Sequence, residues 1–455
     1  MSSPALRPDT ALDSLPLTGH TRDGAVAAYR RGKPITAAQF LHDVNTVARA
    51  LPNAGHILNF FADRYLFAVT LCAAVTRGQV TLLPPTTTPN VIAALRAFAS
   101  DAYCVGDDPQ HEVDLPRFPL PALAPGTRSI AEAPRIAADR VVACVFTSGS
   151  TGEPTPHFKR WGPLMRDVQG ESRRLGVGSA HTILGTVPPQ HMYGLESTVL
   201  LPIACGAALT AERLYFPADI DAAIAAMPGP RLLVTTPFHL KTWMESGTVA
   251  RIEAMVSATA PLSVGLARAA EDRTGAVVHE IYGCTEAGQV ATRRPAREVE
   301  WEAFDGLRLT SEGDRTTVSG GHVETPTPLS DIIELLGDGR RFLLHGRSAD
   351  MVNIAGKRNS LGYLNHQLTS IGGVADGAFF VPDERETDGV TRLVAFAVAP
   401  GLTPAQILAE LRQRIDPAFM PRPLHLVRAL PRQSTGKLPR EALLAIARTL
   451  GDKKR

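Results

Sequence analysis

Short apolar runs alternate with segments of helical period along most of this chain, and that alternation is the strongest constraint on its fold. "HILNFF" (56–61), "QVTLLPP" (79–85), "TILGTVPP" (182–189), "RLLVTTP" (231–237), "AMVSATAPLS" (254–263) and "AVVHEIYG" (276–283) read as strands. Between them, "TAAQFLHDVNTVARAL" (36–51), "RYLFAVTLCAAVTRG" (64–78) and "VGLARAAEDRTG" (264–275) read as helices, the second closed by Gly78. Strands separated by helices predict a parallel sheet covered on both faces. Residues 105–140, rich in Pro and Asp, read as a surface connector. After residue 346 comes a block with its own strands ("GAFFVP", "RLVAFAV"), a helix ("PAQILAELRQRI") and a basic tail, long enough for a small separate domain. The expected fold class is α/β: a large multi-layer N-terminal domain (1–346) with mostly parallel sheets flanked by helices, plus a small mobile α+β C-terminal domain (347–455).

Composition removes several function classes. The formal net charge of +2 is too close to neutral to argue for a nucleic-acid partner. The longest apolar stretch, Leu66–Val75, is about half the ~20 residues a membrane span needs, so a buried helix is expected. Cys72, Cys104, Cys144, Cys205 and Cys284 form no CxxC pair, which fits reduced thiols and a cytoplasmic location. The N-terminal stretch shows no basic region followed by an apolar one, so no signal peptide is expected.

The stretch "VVACVFTSGSTGEPTPHFKRW" (141–161) runs from an apolar strand into a loop of Ser, Thr and Gly. Glycines let backbone N–H groups approach a phosphate, and hydroxyls add donors, so the loop reads either as an anion cradle or as a flexible polar loop. It is not a Walker A loop, because no Gly-Lys-Ser/Thr follows Gly149 at the required spacing.

The order of residues in "FTSGSTGEP" resembles the phosphate-binding signature of the adenylate-forming superfamily, which includes acyl- and aryl-CoA synthetases. Four further stretches match that family in order, over about residues 141–443. They are "PPQHMYGLE" (188–196), "IYGCTEAG" (281–288), "LSDIIELLGDGRRFLLHGRSADMVNIAGKR" (329–358) and "LPRQSTGKLPREAL" (430–443). A softer resemblance, in the loop variant and the short N-terminal part, is to acyl-AMP ligases of aryl polyene and xanthomonadin pigment pathways.

The resemblance implies ATP and Mg2+ as cofactors and a role for each matched residue. Thr147, Ser148, Gly149, Ser150, Thr151 and Gly152 would hold the β- and γ-phosphates. Tyr282, with Gly283, would stack on adenine, and Asp331 and Arg347 would meet the ribose. Thr285 and Glu286 would meet the α-phosphate and magnesium, with Thr151 also on the metal side; one carboxylate suits a hard cation that keeps several waters. Lys437 would bridge the attacking carboxylate and the α-phosphate, where two anions meet. Gly356 and Arg358 would face the thiol acceptor. Two positions depart from the family. Its loop lysine is Thr155 here, so either Lys159 reaches the phosphates from a shifted position or the loop works without a cation. Its paired hinge acids are Ala349 and Asp350 here.

For the acid itself, His191 (also counted as catalytic), Tyr193, Thr236, Phe238, Ser257 and Thr259 are the candidate pocket residues. Met192 stands where amino-acid-activating relatives carry an Asp, and a thioether cannot neutralise an ammonium. Mixed aromatic and hydroxyl groups suit a small aromatic acid with a ring hydroxyl. The expected activity is adenylation of a hydroxybenzoate-like acid, then transfer to an acyl carrier protein. The alternatives are transfer to free CoA and, from another class, a non-catalytic nucleotide-binding member.

Overall fold

The computed structural model describes residues 14–108, 113–148, 154–247, 249–313, 315–337, 339–347, 351–354, 357–382, 392–433 and 438–452. The helices start and stop where local chemistry dictates. Helix Ala37–Ala50 begins on Thr36, whose hydroxyl accepts the Gln39 amide, and buries Phe40, Leu41, Val44 and Val47 along one face. Helix Arg64–Arg77 begins on Asp63 and ends on Gly78 at φ 74°, a left-handed cap that glycine adopts without strain. This second helix is apolar on nearly every side, because it packs on strands of two different sheets.

One of those sheets has five strands, in the order Tyr103–Val105, His56–Asn59, Val80–Leu83, Val141–Ser148 and Pro154–Arg160. The first three pairings are parallel; the last is an antiparallel hairpin. The other sheet has eleven strands. Its parallel centre contains Ala208–Thr210, Thr182–Gly185, Arg231–Thr235, Ala254–Ser257 and Val277–Cys284. From Val277–Cys284 onward it turns antiparallel, through Gly288–Arg293, Trp301–Ala303, Arg341–Arg347 and Asp331–Leu336. The large sheet is therefore mixed rather than mostly parallel. No helix separates those later strands, and tight connections between them favour antiparallel pairing. A three-stranded antiparallel sheet, Leu307–Glu312, Arg315–Gly320 and Val323–Leu329, packs against this end.

Beyond residue 350 the structure is α+β. A sheet of Asp376–Phe380, Val394–Val398 and Leu424–Leu426 carries the helices Leu361–Thr369, Pro404–Arg412 and Arg440–Asp452. Leu364, Phe379, Ile407 and Leu411 form one apolar cluster, and Phe380, Phe396, Leu430 and Leu443 another; both draw only on this stretch. Among the described residues no helix is long and apolar enough to cross a membrane.

Two buried polar networks hold the large part in register. Arg64, only 1% exposed, lies between the sheets. Its Nε donates to Thr198 Oγ1 at 3.0 Å, Nη1 to the carbonyls of Thr210 and Glu212 at 2.9 and 3.0 Å, and Nη2 to those of Gly185 and Val187 at 3.1 Å each. Burial lowers its pKa only to about 10, so the guanidinium stays charged at neutral pH. The second network lies under the turn between Val277–Cys284 and Gly288–Arg293. Asp167 and Glu171, one helical turn apart on Trp161–Leu175, are fully buried with Glu196. The Gln289 amide N–H donates to Asp167 Oδ2 at 3.2 Å, and Gln289 Nε2 to Glu171 Oε2 at 2.9 Å. Burial pushes the Asp167 and Glu171 carboxyls up to about 7 and raises Glu196 well above the usual range.

Two outcomes follow for the stability of the purified protein. Arg64→Met removes every donor from carbonyls sealed away from water, and urea unfolding will show a loss of about 3 kcal/mol or more. The buried carboxyls give stability the opposite pH slope from ordinary salt-bridged acids. The folded state keeps protons that the unfolded chain loses above its ordinary carboxyl pKa, 4.5 for Glu171, so stability is greatest at acid pH and is lost as pH rises to about 7. Each retained proton contributes a slope of up to ~1.4 kcal/mol per pH unit in that window. Glu171→Gln, which keeps an acceptor for Gln289, will flatten the slope in urea melts between pH 5 and pH 8.

Candidate active site

The residues singled out by the motifs gather where the hairpin of the five-stranded sheet meets the turn after strand Val277–Cys284 of the large sheet. Thr147 stands near the end of strand Val141–Ser148. Across the hairpin it pairs with Thr155, Val145 pairs with His157, and Ala143 with Lys159. The two-residue period of a strand puts Thr155, His157 and Lys159 on one face. That face turns toward Thr285 and Glu286: Thr147 Oγ1 lies 2.9 Å from His157 Nε2, His157 Nε2 lies 3.9 Å from Glu286 Oε1, and Lys159 Nζ donates to the Thr285 carbonyl. Burial lowers the His157 pKa, and nearby Glu286 partly opposes that. The hairpin beside the loop thus meets the Thr-Glu turn directly.

The turn is shaped by two glycines. A Cβ on Gly283 would lie 2.5 Å from the Gly288 carbonyl oxygen. Gly288 sits at φ +80°, and a Cβ there would lie 2.4 Å from Asp167 Oδ2. The flanking strand is fixed by Glu280, which is buried, takes the Leu262 amide on one oxygen and pairs with Arg293 at 2.7 Å through the other. Upstream of the turn, the Tyr282 hydroxyl donates to Asp331 Oδ2 at 2.7 Å, and its ring meets Trp301 and Phe342 edge-on. Asp331 and Arg347 are register partners across the next hairpin. The positions matched to adenine and ribose recognition are therefore neighbours.

The pocket candidates divide. Tyr193, buried, donates its hydroxyl to the Val256 carbonyl at 2.9 Å, which places it beside Ser257. Ser257 is fully buried, and its Oγ has no hydrogen-bond partner among the described residues. Thr259 has φ 79°, a strained backbone for a β-branched residue and a common mark of a binding site. Strand Arg231–Thr235 pairs with Ala254–Ser257, so Thr236 follows on the same edge, but its hydroxyl caps helix Pro237–Glu245 and meets His239 Nδ1 at 2.9 Å. Phe238 is half exposed on that helix. His191 opens the short helix Met192–Leu195, next to Pro188–Gln190, which line a cavity of about 250 Å³ together with Phe60, Cys104 and Arg213.

Gly149, Ser150, Thr151, Gly152, Ala349, Asp350, Gly356 and Lys437 lie outside the described residues. Ser148, Arg347 and Arg358 are described for their strand backbone alone. Glu286 is a half-exposed carboxylate among polar neighbours, which suits a magnesium ion that draws its other ligands from water and phosphate. The sequence reading missed His157, Arg64 and the buried acids. A signal was present: Asp167 and Glu171 fall on the same helix face as the buried Leu164 and Val168. Acids on an apolar stripe mark a polar network in the core.

Similarity to known proteins agrees with this geometry. The AMP-binding enzyme family matches residues 18–318. The 4-coumarate–CoA ligase of Rhodobacter capsulatus is 32% identical over 305 residues, 64% of this chain and 73% of the relative. That of Halorhodospira halophila is 30% identical over 315 residues, with the same coverage of 64% and 73%. Among solved structures, ATP-bound MatB from Rhodopseudomonas palustris superposes with a TM-score of 0.78 at 18% identity, covering 94% of this chain and 97% of that one. The anthranilate CoA ligase AuaEII, in complex with anthranoyl-AMP, gives a TM-score of 0.79 at 16% identity, covering 95% and 98%. At that identity the superpositions speak for the fold, while the sequence matches identify the family. The chain belongs to the AMP-binding enzyme family of adenylate-forming proteins and is an AMP-forming acid ligase.

Proposed function

We propose that the chain transfers the AMP part of ATP to a small aromatic carboxylic acid, a hydroxybenzoate being favoured, and passes the acyl group to the phosphopantetheine thiol of an acyl carrier protein. The observation that carries this reading is the convergence of Thr147, Thr285, Glu286 and the Tyr282–Asp331 pair where the two sheets meet. A carboxylate oxygen attacks the α-phosphorus, the bond to the bridging oxygen breaks, and pyrophosphate leaves. A thiol sulfur then adds to the acyl carbonyl and loses its proton, and AMP departs.

The chain's own residues divide that work. Tyr282, Asp331 and Arg347 orient the nucleoside. The loop 147–152 cradles the outer phosphates with backbone and hydroxyl donors. Lys437 supplies the cation where carboxylate and α-phosphate approach, the point at which charge builds up most in the transition state. Glu286 and Thr151 would hold magnesium, which when bound neutralises the departing pyrophosphate. In this reading residues 1–346 form the binding domain and 347–455 a lid. The lid brings up Lys437 for the first step, then turns Gly356 and Arg358 toward the thiol; Ala349 is the pivot.

Two lines support an aromatic acid. Tyr193, Ser257 and Thr259 put a ring and hydroxyls together beside strand Ala254–Ser257. The curated relatives that match most of the ligase core are named for 4-coumarate. The same names favour a second reading for the acceptor, free CoA, because both relatives are CoA ligases. The resemblance to aryl polyene and xanthomonadin acyl-AMP ligases favours the carrier protein.

Carboxylate-dependent exchange of labelled pyrophosphate into ATP tests the first step. Exchange will be strongest with hydroxybenzoates in a panel that also holds fatty acids and amino acids; exchange with none of them defeats the reading. Lys437→Ala will slow exchange by about a hundredfold or more while leaving ATP binding in place. A non-catalytic nucleotide binder would be indifferent to that change. With adenylate formed, separate additions of CoA and of a phosphopantetheinylated carrier protein will identify the acceptor by which one becomes acylated.

A further inference from the structure

We propose that Lys159 is the positioning cation of the nucleotide site, fixing the Thr285–Glu286 turn from the strand instead of contacting phosphate from the loop. The proposal rests on the ligase reading above. Its basis is geometric. Thr155, His157 and Lys159 share one strand face, and Lys159 is four residues beyond Thr155. Four strand residues span about 13 Å, so position 159 presents its ammonium well along the strand from Thr155. Its Nζ instead donates to the Thr285 carbonyl, across 126 positions of sequence, and so joins the five-stranded sheet to the turn of the large one.

The surroundings show why a cation belongs there. The turn lies directly on the buried acids: Gly288 abuts Asp167 and comes within 3.5 Å of Glu196 from its virtual Cβ. Burial raises the pKa of both Asp167 and Glu196, and the same ammonium is a smaller influence in the opposite direction. His322, 3.6 Å from Asp167, is driven to a pKa of about 4 by burial and carries no charge at neutral pH. Two duties are therefore open to Lys159, a longer-range attraction for the acid network below and a grip on the Thr285 carbonyl above, and among the described residues the second is the direct contact. Ammonium groups have three donors, so the second duty does not exclude the first. A positioned Thr285 carbonyl orients the peptide that carries Glu286, and with it the metal end of the nucleotide.

The test separates the two duties. Lys159→Met, Lys159→Arg, Asp167→Asn and the double variant Lys159→Met/Asp167→Asn are compared with wild type by thermal unfolding and by pyrophosphate–ATP exchange over a magnesium titration. Lys159→Met is expected to lower kcat about tenfold or more and to raise the half-saturating magnesium concentration several-fold, with the acid KM within about twofold of wild type. Lys159→Arg will recover part of that loss. The double variant will remain as slow as Lys159→Met, whatever its melting temperature. Recovery of exchange along with melting temperature in the double variant would overturn the proposal, because Lys159 would then serve only the acid network. So would a Lys159→Met enzyme with unchanged kcat and magnesium requirement. If wild type exchanges with no acid at all, the ligase reading fails and this proposal fails with it; an active wild type beside an indifferent Lys159→Met defeats this proposal alone.

Discussion

The guanidinium of Arg64 is the interaction on which the geometry of this molecule depends. It is a charge sealed between two sheets, and among the described residues its hydrogen-bond partners are four backbone carbonyls and one hydroxyl, with no carboxylate. A planar fork with five N–H donors can satisfy five acceptors in fixed directions, which an ammonium cannot. What it fixes is specific. The carbonyls of Gly185 and Val187 end the strand that leads into Pro188–His191, and Thr198 lies in the π-helical turn Glu196–Leu200. The position of the pocket segment and the position of Glu196 are thus set by the same side chain. Gly185 has no side chain because one would collide with the fork: a Cβ there would lie 2.8 Å from Arg64 Nη2.

From Glu196 the constraint passes to the acid network, and from there to the nucleotide-side turn. Asp167, Glu171 and Glu196 come from two separate helical segments and meet Gln289 on the strand after the turn. Three buried carboxyls cannot all ionise at neutral pH without large desolvation and repulsion, so they hold protons. A protonated carboxyl is both donor and acceptor, which lets neighbouring acids and one carboxamide close a network. The arrangement is sensitive to shape, and so Gly283 and Gly288 are required at the two ends of the turn. Lys159 is the charged counterpart on the open side.

Much of this was readable in the sequence, and the reasons for the rest are physical. The helix 64–78 with its Gly78 cap, the helix 36–51 with its Thr36 cap and the strands at 56, 80, 182, 231 and 254 appear where the periodicity places them. Local caps and strand-length apolar runs carry that information by themselves. The antiparallel run 288–347 was not readable, because short half-exposed strands such as Val323–Leu329 carry weak alternation and are defined by their partners. The motifs located Thr147, Tyr282, Glu286 and Asp331, yet the Tyr282–Asp331 hydrogen bond spans 49 positions and exists only after two hairpins have formed. His157 went unread for the same reason: its meaning lies in register with Val145 and in a turn more than a hundred residues away. Thr236 and Phe238 show the converse. Their residue types suit a pocket, but a helix cap uses the first and solvent covers half of the second.

The way the small C-terminal part is held bears on the proposed reaction, in which one active site takes two arrangements. Its apolar clusters close on themselves, so separating it from the large part exposes little core. One of its ties is polar: Lys241, on the helix that follows Thr236, donates to the carbonyls of Val374 and Ala375 at 2.7 Å each. Hydrogen bonds of that kind contribute about 1 kcal/mol apiece beyond what water offers in exchange. Burial lowers the Lys241 pKa, so the ammonium gives up solvation to make the contact, which weakens its net grip further. Arg64 and Lys241 therefore stand at opposite ends of a scale. The first is a cation whose five bonds cannot be replaced by water, and it fixes the strand end before Pro188–His191 and the helical turn that holds Glu196. The second is a cation whose bonds water can replace at little loss, and it tethers the part that the proposed chemistry requires to turn. The proposed reaction, which first brings a lysine to the α-phosphate and then a thiol to the acyl carbonyl, calls for both kinds of contact, rigid within the large part and exchangeable between it and the small one.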